Sequence, residues 1–145
     1  MVSHGIQGLP VKPDRFLVDH EGTVYRIAAG PLSEILREEA RPHATDPDHE
    51  KFISDFIMTL HDESFIRLQS AEDIPGYQNR PLPAELAAEI QPSHRTVEGN
   101  QVFFTYHQIG GCVRRYEFHY GKGGSFHHVT ESQLGHGIGD ARYYQ

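Results

Sequence analysis

Histidine, arginine, tyrosine and glutamate crowd the C-terminal third of this chain. These side chains titrate near neutrality, bind transition metals or anchor partners. Between His94 and Gln145 lie six of the eleven histidines (His94, His107, His119, His127, His128 and His136) and five of the seven tyrosines. On a β-strand, alternate side chains share a face. Over 101–109 that rule groups Phe103, Thr105, His107 and Ile109, and over 112–120 it groups Val113, Arg115, Glu117 and His119.

The turn at Gly110-Gly111 decides which groups meet. A two-residue turn opposes Ile109 and Cys112 and sets Phe104 against Glu117. A three-residue loop with a glycine bulge opposes Gln108 and Cys112, setting Phe104 against Tyr116 and Val102 against Phe118. The second pairing separates apolar from polar side chains, and register follows the buried face. It is therefore the expected one. It gives a core face of Val102, Phe104, Tyr106, Tyr116 and Phe118, and an opposite face of Thr105, His107, Arg115, Glu117 and His119.

Two chemistries follow. In the first, His107, Arg115, Glu117 and His119, rimmed by Tyr77 and Arg80 of a proline-rich loop, present a non-catalytic binding surface to a protein or small-molecule partner. No cofactor is needed. In the alternative, pairing Tyr120 with Phe126 places His119 opposite His127, with Cβ atoms about 5 Å apart. Glu117 on the same face, or His107, then supplies a third ligand for Zn²⁺ or non-haem Fe²⁺ in a metal-dependent enzyme. Such an ion would activate a water or polarise a carbonyl. Cys112 faces the core in this register and reads as a structural thiol. The glycine run 121–124 lacks phosphate-loop spacing and reads as a hairpin turn, and no G-x-S-x-G, H-E-x-x-H or G-x-G-x-x-G motif is present.

These side chains need a scaffold, and the rest of the chain supplies one. Arg15–Asp19 and Thr23–Ala29 are β-rich runs around Gly22, an N-terminal hairpin. Pro31 opens a short amphipathic helix carrying Leu32, Ile35 and Leu36, which ends near Arg41-Pro42. Asp46-Pro47 then reads as the cap and first turn of a stronger helix over 48–61, whose Phe52, Ile53, Phe56, Ile57 and Leu60 form one stripe. Ser64–Gln69 suits a short strand, 70–83 reads as a stiff surface loop, and Glu85–Ile90 reads as one or two helical turns. Turns at Gly99-Asn100, Gly110-Gly111 and 121–124 divide the remainder into four strands near 94–98, 101–109, 112–120 and 125–131.

The expectation is a single α+β domain over 1–145, with two or three short amphipathic helices and a four-stranded antiparallel meander packed on the 48–61 helix. Residues 1–13 read as an extended lead-in and 133–145 as an irregular tail. A free edge strand of the meander is where a second copy would pair into a homodimer.

Charge and composition narrow the partners. The formal charge of −7 disfavours nucleic acid, which needs a basic stripe, and Arg114 and Arg115 point to opposite faces. Full protonation of the histidines would carry the charge from −7 to +4. No run approaches the ~18 apolar residues of a membrane span, so no membrane partner is expected. The N-terminus lacks the apolar core of a secretory signal, and one cysteine fits a reducing compartment, so a cytoplasmic location is expected.

Overall fold

The computed structural model describes residues 16–18, 21–22, 24–26 and 28–143. The lead-in expected over 1–13 lies outside them. Strands β1 (Phe16–Val18) and β2 (Val24–Arg26) pair antiparallel with Leu17 opposite Tyr25. Gly22 sits between them at φ +85, a backbone angle that glycine tolerates best.

Helix α1 (Ala29–Glu39) carries Pro31 in its first turn, where the missing N–H costs nothing. Helix α2 (His49–His61) is preceded by Asp48 rather than by the expected Asp46 cap. The Asp46 carboxylate instead accepts the His43 backbone N–H at 2.7 Å, which ties the helix–helix linker to itself. Asp62 ends α2 in the left-handed region at φ 52.

The larger sheet contains β3 (Ile66–Leu68), β5 (Gln101–His107), β6 (Cys112–Tyr120) and β7 (Phe126–Gly135), antiparallel and in that order. The two-residue β4 (His94–Arg95) joins β5 on the same side as β3. A single turn of α3 (Ala84–Ala87) lies between β3 and β4. The α+β architecture and the antiparallel meander therefore match the sequence reading. Strand β7 runs on to Gly135, so the irregular tail begins at 136 and not at 133.

The register at Gly110-Gly111 differs from both alternatives. His107 opposes Cys112, leaving a four-residue loop; Phe104 faces Arg115 and Phe103 faces Tyr116. The loop is held by the tail: Ile138 donates its N–H to the Gly111 carbonyl at 3.0 Å and Gly137 to that of Gly110 at 2.8 Å. A Cβ on Gly111 would lie 2.7 Å from the Ile138 backbone nitrogen, so the docking needs glycine.

Both faces of β5 are covered, so alternation does not mark a buried face there. On one face Phe103, Tyr116, Phe118, Phe126 and Val129 pack against Ile53, Phe56 and Ile57 of α2 and Leu32 of α1. On the other, Val102, Phe104, Tyr106 and Val113 pack against Ala71, Ile74, Leu82 and Ile90. The proline-rich stretch is thus a third layer, built on short 3₁₀ turns at Ala71–Asp73 and Tyr77–Asn79, rather than a surface connection. Residues 102–107 are buried without interruption, so β5 has no polar face from which a register could be read.

Helix α1 closes part of the free edge of β7. The Val129 N–H donates to the Ser33 hydroxyl at 3.1 Å, that hydroxyl donates to the Ala29 carbonyl, and Arg37 donates to the His127 carbonyl. Edge groups that would otherwise template another strand are satisfied by side chains. Among the described residues, no helix is long and apolar enough to cross a membrane.

Candidate functional site

The third layer covers β3, β5 and, at Val113 and Leu134, one end of β6 and β7, and leaves the rest of its sheet face open. In the open part, β6 presents Arg115, Glu117 and His119, while β7 sets Ser132, Thr130 and His128 directly opposite them. Asn100, buried just before β5, organises the row. Its amide nitrogen donates to Glu117 Oε2 at 2.9 Å and approaches His119 Nδ1 at 3.1 Å. With Nδ1 accepting, a neutral His119 carries its proton on Nε2, which donates to Thr130 Oγ1 at 3.1 Å.

Arg115 donates to Glu117 Oε1 at 2.9 Å. Partial burial works against ionisation of Glu117, but the bonds from Asn100 and Arg115 win and hold its carboxyl below the usual range. The His128 ring stacks on His119 with centroids 4.2 Å apart. Burial first, then the neighbouring His119, His127 and Arg37, lower its pKa, so His128 stays neutral at neutral pH.

Beside this row lies a cleft of about 200 Å³, lined by Glu89, Gln91, His94, Val102, Phe104 and Arg115. Arg115 belongs to both features, with its side chain 31% exposed. A guanidinium anchored to a carboxylate on one side, and facing a cleft on the other, suits recognition of a planar acidic group.

Three of the residues expected to share a face (Arg115, Glu117 and His119) do so. His107 does not: the four-residue loop moves it to the helix-covered face, where it is 0% exposed. Tyr77, part of the third layer, packs against its core, and Arg80 lines a separate cleft with Asp140 and Arg142. The loop residues that border Arg115 are Glu89 and Gln91. The cross-strand partner of His119 is His128, because a register shift between His119 and Tyr120 displaces His127 by one position. The metal triad of His119, His127 and Glu117 thus loses its founding pair. Among the described residues, no three His, Cys, Asp or Glu side chains are arranged to hold a metal ion.

A second polar cluster, under α2, escaped the sequence reading. His61 Nε2 lies 2.5 Å from Glu131 Oε2, and the His61 ring meets that of His107 edge-on at 4.9 Å. His107 Nε2 is 3.0 Å from Thr105 Oγ1, and its Nδ1 is 3.2 Å from Glu63 Oε1, with Arg114 beyond. Burial, then the adjacent Glu131 carboxylate, push the Tyr116 hydroxyl far above its ordinary pKa. Burial also opposes ionisation of Glu131, yet the bond from His61, with Tyr116 and Arg114 nearby, holds its carboxyl below the usual range. The signal for this cluster was the shared parity of Thr105 and His107 in one strand and Arg114 and Tyr116 in the next, visible once the loop length is known. Searches against protein-family models, curated proteins and solved structures found no match to this chain.

Proposed function

We propose that this protein is a small, non-catalytic binding domain of the cytoplasm that docks an acidic group of a protein or small-molecule partner onto Arg115. The observation that carries the reading is the double membership of Arg115, fixed by Glu117 in the polar row and forming one wall of the adjoining cleft. His94 and Gln91 in the cleft wall, and His119 in the row, add hydrogen-bonding groups around that point, and the Arg115 contact must outweigh the like charge of Glu89 in the same wall. Interfaces are anchored by such pre-positioned arginines more than by their wider contact area. The single cysteine supports a reducing compartment. Catalysis by Zn²⁺ or Fe²⁺ has less support, because the stacked His119 and His128 rings replace the expected chelating pair.

The test is an NMR titration with short carboxylate-bearing compounds and acidic peptides. Shifts should converge on Arg115, His94, Gln91 and Ser132. Arg115→Ala should weaken binding at least tenfold, a loss of about 1.4 kcal/mol, with the fold intact by circular dichroism. Binding that survives the substitution, or shifts that map to another surface, would sink the assignment.

A further inference from the structure

An apolar recess lies away from the sheet face, between the two helices. Leu32, Ile35 and Leu36 of α1 face Phe52 and Phe56 of α2 across a cavity of about 400 Å³. That volume lies in the range of small-molecule sites, which are mostly apolar with a few polar groups that orient the ligand. Here the charged groups in the lining are Asp48, just before α2, and Lys51 and Asp55 within it.

Their charges do not cancel. Lys51 Nζ is 2.7 Å from Asp55 Oδ2, and this bond, with the Asp55 charge, raises the Lys51 pKa, so that pair is internally neutral. Asp48 is left over. It makes no capping bond to its own helix, and its charge acts on Lys51 and His49 through space. An apolar recess whose lining holds two carboxylates and one ammonium keeps a net negative charge, and is complementary to a molecule with an apolar body and a single cationic head. A carboxylate-headed molecule would meet Asp48 as a like charge, in a chain already at −7.

From this juxtaposition we infer that the α1–α2 recess is a second binding site, distinct from the Arg115 face, for a small amphiphile carrying a primary ammonium group. The apolar body lies against Leu36, Phe52 and Phe56, and the ammonium lies beside Asp48. Most of the affinity comes from the buried hydrocarbon, at about 25 cal/mol per Å². The head group sets the preference.

The experiment uses three probes of matched length, n-octylamine, n-octanol and n-octanoate, followed by calorimetry and by amide shifts on the intact chain. Octylamine should bind about fivefold more tightly than octanol, the size of an exposed ion pair, and octanoate should bind most weakly. Shifts should cluster on Leu36 and Phe52. Asp48→Asn should abolish the preference for the amine while leaving octanol binding unchanged. Ile35→Trp should fill the recess and block all three probes; where that variant unfolds, the wild-type shift map carries the same information. Several results would overturn the inference: no binding of any probe, octanoate binding as tightly as octylamine, or shifts that map elsewhere. Self-association that Ile35→Trp abolishes would equally overturn it, since the recess would then be an interface between copies.

Discussion

Glu131 and Glu117 each keep a negative charge against partial burial, and each does so through its neighbours: His61 for the first, Asn100 and Arg115 for the second. A carboxyl held below its unfolded pKa contributes stability that is complete above the ordinary glutamate value of about 4.3 and disappears as the pH falls through the folded value. The acid limb of the stability curve should therefore begin as the pH drops below that value, with both residues contributing. Glu131→Gln should flatten part of this limb. Urea midpoints measured from pH 5 down to pH 2.5 would check it, and parallel limbs in the wild type and variant would show that Glu131 contributes nothing. His49 and His128 act on a different window. Burial lowers both below the ordinary histidine value. Their contribution is complete above about 6.5 and declines as the pH falls toward their folded values. His49 has a further hold, because its Nε2 is hydrogen-bonded to the Tyr120 hydroxyl across the α2–sheet boundary.

At the scale of elements, the helices and strands were legible because each rests on local patterning: the Phe52–Leu60 stripe of α2, the glycine turns, Pro31 inside α1. Register was not legible, because it depends on which face is buried, and β5 is buried on both. The consequence reached the site. Arg115, Glu117 and His119 are legible as a group because they alternate within one strand, whereas the places of His107 and His127 rest on cross-strand pairings that the loop length and the register shift near Tyr120 change. The sequence marks Asn100 only as a turn residue, although its side chain joins Glu117, His119 and the Tyr120 N–H. The sharpest element-level prediction concerns the α1–β7 seam. Ser33 is 1% exposed, and its hydroxyl serves the Val129 N–H. Ser33→Ala leaves that edge donor buried without a partner, at a cost of about 1–3 kcal/mol. Denaturant unfolding should register the loss, and hydrogen exchange should quicken at the Val129 amide. An unchanged exchange rate there would mean that the seam does not protect the edge.

For the molecule as a whole, the histidines set a charge swing from −7 toward +4, which crosses zero near the sequence isoelectric point of about 5.8. Self-repulsion vanishes there, and the open edge of β7 beyond α1, at Thr130–Gln133, becomes the place where copies can meet. Sedimentation at pH 7.5 and pH 5.8 should show a heavier species at the lower value; the same species at both would dismiss charge-controlled association. The α1–β7 seam also bears on how the chain is made. Ser33 and Val129 are separated by 96 residues, and the stripe of α2 likewise docks on Phe118 and Phe126. A ribosome delivers both helices well before it delivers the strands they rest on, at roughly 5–20 residues per second. For several seconds the nascent chain holds Leu32, Phe52 and Phe56 with no sheet to receive them. The helical layer of this protein is thus made first and finished last, and through that interval its apolar stripes are open to any chaperone that reads exposed phenylalanine.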